Sequence, residues 1–209
     1  SGDTRFDRVD AILERDNSLD FIAAFKNNQP TIIIGSSWPK DEALLIDYIN
    51  QSSNNLKFII APHNIKAEQI ANLKNSITKK TVLFSEKEDK SLADYNVFII
   101  DTVGLLTKIY SYGTIAYVGG GFGNPGIHNL LEPATFGLPI LIGPNYSNFA
   151  EAIELVKIGG CIVISNNDEL KHHFDQLLSD ENLLSKKSQI CKNYIQDNKG
   201  ATDTIIRTI

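Results

Sequence analysis

The chain has no methionine, one tryptophan and two cysteines among its 209 residues, and nowhere do lysines and arginines gather into a block. The formal net charge of −5 and the missing basic block argue against a nucleic-acid surface. Two cysteines cannot make a disulfide framework, and neither has metal-ligand spacing. Cys161 opens the apolar run CIVI and reads as a small core hydrophobe. Cys191 sits in a helical pattern. No apolar run approaches the roughly 20 residues of a membrane span, and no signal-peptide pattern is present. A reducing, cytoplasmic setting is the default. The missing methionine predicts that the chain begins inside a longer protein, with Ser1-Gly2 in part a cloning remnant.

What is present is 42% hydrophobic residues, enough for one large domain. Short β-branched runs alternate with amphipathic ones. The runs predict strands at Thr31–Gly35, Lys57–Ala61, Thr81–Phe84, Asn96–Ile100, Thr114–Val118, Pro139–Ile142 and Cys161–Ile164. Helices are predicted at Asp41–Gln51, Lys66–Asn75, Gly104–Tyr112 and Phe149–Ile158, and through the tail Asp168–Ile209, broken only at 198–200. Continuously apolar strands alternating with helices mean a doubly wound parallel sheet, a Rossmann-like α/β fold. Residues 1–30 are polar, with one helical pattern at Leu19–Lys26, and read as a linker plus a docking helix. The domain proper is 31–209.

Turn-forming and polar residues collect behind the strands: Gly35-Ser36-Ser37-Trp38-Pro39, Ala61-Pro62-His63, Asp101-Thr102-Val103-Gly104, the run GGGFGNPG at 119–126, and Gly143-Pro144-Asn145-Tyr146. Such sheets bind ligands beyond the carboxyl ends of their strands, so the five segments are candidates to line one cleft. The bland alternative is ordinary turn chemistry. A glycine-rich turn before a helix suits an anion, commonly a phosphate. Gly121-Phe122-Gly123-Asn124-Pro125-Gly126 matches a dinucleotide fingerprint, but the next strand ends without the acidic residue that a ribose requires. Pro125 also lacks an N–H, and the unit is the fifth rather than the first. The NAD reading fails on context. Asn129 and Glu132 fit a variant capping box, and Glu132 equally fits a bidentate grip on two ribose hydroxyls. His128 is open between a ligand contact and a satisfied residue at a helix start. His172-His173 reads as a solvated helix face.

The order of GDTRFDRV, GSSWPKDE, IIAPHN, DTVGLL and AYVGGGFGNPGIHNLLEPATFGLPILIGPNYSNFAEA resembles the C-terminal half of 3-deoxy-D-manno-octulosonate (Kdo) transferases, which build the lipopolysaccharide inner core. The resemblance implies the donor-nucleotide lobe of a two-lobed GT-B glycosyltransferase, with GDTRFDRV from the segment joining the lobes. It implies CMP-Kdo as donor substrate, no further cofactor and no metal. Lipid A precursor would be the acceptor, received by an N-terminal lobe that lies outside this chain. Kdo would be transferred with inversion by a carboxylate base on that other lobe, so no catalytic residue is assigned here and the chain alone is expected to be inactive. The full-length protein would work at the cytoplasmic face of the bacterial inner membrane, peripheral or anchored, while this stretch alone would be soluble.

The same resemblance implies site roles. Gly120, Gly121, Phe122, Gly123 and Gly126, with His128 and Asn129, would face the phosphate. Glu132 would hold the ribose, and Ser36 and Ser37 would offer hydroxyls. Pro62, His63, Val103, Gly104 and Leu105 would flank the cytosine. Two departures stand out: His63 where the family commonly has arginine, and a longer loop before His128-Asn129. Two other readings stay open, a UDP-sugar transferase or epimerase lobe and a non-catalytic nucleotide-binding module.

Overall fold

The computed structural model describes residues 2–124 and 126–206; the expectations for Ser1, Pro125 and the tail's last three residues fall outside them. Seven strands form one all-parallel sheet: β1 Thr31–Ser37, β2 Lys57–Pro62, β3 Thr81–Leu83, β4 Val97–Ile99, β5 Ile115–Val118, β6 Ile140–Ile142 and β7 Cys161–Val163. Their order is β3-β4-β2-β1-β5-β6-β7. The helices are α1 Thr4–Asp10, α2 Asp20–Lys26, α3 Pro39–Gln51, α4 Ala67–Ser76, α5 Leu106–Ile109, α6 Leu131–Thr135, α7 Ala150–Ile158, α8 Asn167–Ser179, α9 Glu181–Asn198 and α10 Ala201–Ile206.

The strands read as unbroken apolar runs because both faces of the sheet are covered. In β1, Ile32 and Ile34 point into one core with Leu45 of α3, Leu73 of α4 and Phe174 of α8. Ile33 points into the other, with Phe6, Phe25, Ala134, Leu155 and Ile195. Alternate side chains of a strand face opposite ways, so three consecutive isoleucines serve two cores.

Three differences from the sequence expectation have physical causes. The first thirty residues hold a second helix, α1, whose Phe6 and Val9 are buried in the main core. Asp3 caps it by accepting from the Arg5 N–H at 2.9 Å. The tail breaks once more than expected, at Asp180, whose side chain accepts the Leu183 N–H and starts α9. The helix read as Gly104–Tyr112 is only one turn, α5, followed by a 3-10 turn at Tyr110–Tyr112. The segment carrying α1 meets the start of α10: the Asp7 carboxylate accepts from the Gly200 and Thr202 N–H groups and the Thr202 hydroxyl.

Sheet order reverses between β1 and β5, which pair in parallel from Ile32↔Ile115 to Gly35↔Val118. Their carboxyl ends open a crevice at that point, where such folds take ligands. Among the described residues no helix is long and apolar enough to cross a membrane.

Candidate functional site

The crevice is built around one buried carboxylate. Pro39 occupies the first turn of α3, where its missing N–H costs nothing, and Asp41 sits two residues on. Asp41 accepts the Trp38 N–H at 3.0 Å, half of a capping box. It also accepts the Tyr117 hydroxyl at 2.7 Å and the Gly120 N–H at 2.8 Å. Fully buried, it survives only because it is so bonded. Burial, then the adjacent carboxylate, pushes the Tyr117 phenol far above its usual range. Asp41 thus ties β1, β5 and the glycine loop together, a role not read from the sequence.

The glycines of this loop are needed first for packing. Gly120 has φ +99°, and a Cβ there would lie 2.1 Å from the Gly126 carbonyl oxygen. Gly121 and Gly143 approach so closely that a side chain on either would strike the other's backbone at 2.6–2.7 Å. The loop therefore needs bare backbone even without a ligand. Its N–H groups at Gly121 and Phe122 donate to no acceptor among the described residues.

Three rings from three segments stack at the crevice. Trp38 lies on His63 with centroids 4.2 Å apart and planes 17° apart, and His63 lies 4.6 Å from His128. The Trp38 Nε1–H donates to His128 Nε2 at 3.1 Å, so His128 is held neutral on that nitrogen. Burial, followed by the neighbouring His63, lowers the His128 pKa, with Asp41 opposing. His128 is not at a helix start, because α6 begins three residues later.

Nor do Asn129 and Glu132 form a capping box. The N-cap position of α6 is Leu130; Asn129 accepts the Leu131 N–H and donates its amide to Glu132 Oε1 at 3.0 Å. The Thr107 hydroxyl of α5 donates to Glu132 Oε2 at 2.7 Å. Both carboxylate oxygens are oriented by side chains and retain accepting capacity.

Glu132, Asn129, His128 and Thr107 line a cleft of about 500 Å³. Arg5, Arg8 and Arg15, from α1 and the turn behind it, line the same cleft, and the sequence reading gave them no site role. The other expected residues lie apart from this cleft. Ser37 is buried and donates to Glu42 Oε1 at 2.9 Å; burial raises the Glu42 pKa. Ser36 sits at φ +53°, and its carbonyl abuts Gly119. Pro62 ends β2 beside Ser37, in a crevice with Glu42. Val103 is 78% exposed, Gly104 turns at φ +87° with open space around it, and Leu105 packs on the core just before α5. Gly123 donates back to the Gly120 carbonyl, closing the loop's turn, and Gly126 packs under Phe149. Cys161 and Cys191 are buried and unbridged. His172 is exposed as expected, whereas His173 is half-buried.

No protein-family model matches the chain. It is 30% identical over 140 residues to a 3-deoxy-D-manno-octulosonic acid transferase of Chlamydophila psittaci, covering 65% of this chain and 32% of that protein. It is 35% identical over 133 residues to the transferase of that description from Aquifex aeolicus, covering 63% and 36%. The chain thus spans about a third of the length of these relatives. Its fold is similar to the C-terminal CMP-Kdo binding domain of WaaA from Acinetobacter baumannii, with TM-score 0.73 and 20% identity over 86% of this chain and 100% of that one. The likeness read from the residues is thus matched by curated Kdo transferases, and the architecture is that of a GT-B C-terminal lobe.

Proposed function

We propose that this chain is the donor-nucleotide lobe of a Kdo transferase, holding CMP-Kdo while a second lobe presents lipid A precursor. The observation that carries the reading is the placement of Glu132. Its two oxygens are fixed by Thr107 and Asn129 at the edge of a cleft, one short segment beyond a glycine loop with unspent N–H groups. A carboxylate so oriented accepts two hydroxyls of a ribose, and backbone N–H groups suit a phosphate. The stacked Trp38, His63 and His128 supply a flat surface beside them.

In the transfer, an acceptor hydroxyl attacks the anomeric carbon of Kdo and CMP departs with the bonding electrons. The contribution of this lobe is to orient the donor and stabilise the charge growing on the leaving phosphate. Deprotonation of the acceptor belongs to the other lobe. The full-length protein would act at the cytoplasmic face of the inner membrane. A UDP-sugar lobe is the second reading, and no observation here favours it.

Calorimetry with CMP, UMP and NAD at matched concentration tests the assignment. CMP should bind in preference to both, and the chain alone should transfer no Kdo. Preference for UMP or NAD would overturn the donor reading, and Kdo transfer by the chain alone would overturn the division of labour between lobes.

A further inference from the structure

We infer that Arg8 and Arg15 bind the carboxylate of the donor's sugar acid, on the α1 side of the cleft that Glu132 also lines. The inference rests on the donor-lobe reading and names the part of the donor these residues take. A nucleoside monophosphate joined to an octulosonic acid carries two separate anions, a phosphodiester and a carboxylate. Thr107, His128, Asn129 and Glu132 bring no fixed cation to the cleft, and the histidine is held neutral by the Trp38 N–H. The cationic side chains lining the cleft are Arg5, Arg8 and Arg15.

These three are not equivalent. Arg5 is already used: its guanidinium bonds Asp3 at 2.8 Å and Glu151 at 3.0 Å, and those two carboxylates, Asp3 first, hold it protonated far beyond any working pH. Arg8 and Arg15 make no side-chain hydrogen bond or ion pair among the described residues. Their backbones are nevertheless well placed. Phe6 and Val9 anchor α1 in the core, Ile12 is buried behind it, and the Asn17 amide bonds the Ile12 and Arg15 carbonyls to hold the following turn. Two unpaired guanidinium forks on a fixed backbone present the planar, double-donor geometry that a carboxylate accepts. The glycine loop, which would take the phosphate, belongs to a different segment and does not line this cleft, so the two anions of the donor would meet different parts of the lobe.

Calorimetry on Arg8→Gln and Arg15→Gln with CMP and with CMP-Kdo separates the possibilities. Both side chains are exposed, so neither change should move the melting temperature. Each substitution should weaken CMP-Kdo about tenfold more than it weakens CMP, in line with loss of a charge-assisted pair. Equal losses for the two ligands would overturn the inference by assigning the arginines to the phosphate. No loss for either would overturn it by leaving them to solvent or the second lobe. If the unsubstituted chain binds neither ligand, the donor-lobe reading itself falls.

Discussion

Two groups of polar residues at the site are built on opposite plans. Around the glycine loop and α6 the polar side chains are engaged with one another: Asp41 with three donors, His128 with Trp38, and Glu132 with Thr107 and Asn129. On α1 and the turn behind it, Arg8 and Arg15 have no side-chain partner among the described residues. A group of side chains fixed in advance loses little freedom on meeting a ligand, and so suits orientation. A group of loose cations gains its partner only when an anion arrives, and so suits attraction. On the proposed reading, the contrast divides positioning and charge recognition between β-strand ends and the segment preceding the sheet.

Removing the hub of the ordered group should have the largest effect. Asp41→Ala leaves the Tyr117 hydroxyl and the Gly120 N–H buried without an acceptor, each at about 1–3 kcal/mol. Urea denaturation should show a loss of about 3 kcal/mol, and CMP affinity should fall even where the variant remains folded. Intact CMP binding by folded Asp41→Ala would show that the glycine loop is placed by other contacts.

Glu132→Gln should act on binding rather than folding, because the side chain caps no backbone group. Hydrogen bonds to a charged group contribute about 1.5–3 kcal/mol, so CMP should weaken by roughly tenfold or more. The melting temperature should change little. 2′-Deoxy-CMP should lose much less from the same substitution, since one hydroxyl is already absent. A fall in stability with unchanged CMP affinity would make Glu132 a structural residue.

The smallest effect is the dependence of stability on pH. Burial and then His63 lower the His128 pKa, so the folded chain keeps this ring neutral while the unfolded chain takes up a proton near about 6.5. The stability contributed by the neutral ring is complete above that value and declines as pH falls below it. His128→Gln should flatten part of the decline, and His63→Gln should soften it. The half-buried His173, also lowered by burial first and by His172 next, adds to the same decline, which His173→Gln should reduce further. An unchanged slope in His128→Gln would show that its ring does not sense the crevice.

The sheet was the most legible part of the chain. All seven strands were readable within two residues of their ends, because strands buried on both faces are apolar throughout and β-branched. Strand β1 runs on to Ser37, past the expected end at Gly35, because Ser37 still pairs with Pro62 of β2 after a register shift at Ser36. Helix α1 was hidden because only Phe6 and Val9 of its seven residues are buried, too few to show a helical period. A closer reading could have found Asp41, since Pro39 and an aspartate two positions later mark a helix start. Its bond to Gly120 spans 79 positions, and no local pattern announces that. The glycines were read as a phosphate cradle, yet Gly121 and Gly143 are also required by each other, a contact between two strand ends that exists only in the fold. Glu132 is the same kind of case: the capping spacing was present, but Thr107 from α5 competes for its carboxylate.

A crystal structure of this chain with CMP tests the central claim most directly. The account predicts the ribose hydroxyls within hydrogen-bond distance of Glu132, the phosphate at the N–H groups of Gly121 and Phe122, and Arg8 and Arg15 still unoccupied. CMP bound away from Glu132, or with its phosphate on the α1 arginines, would contradict it.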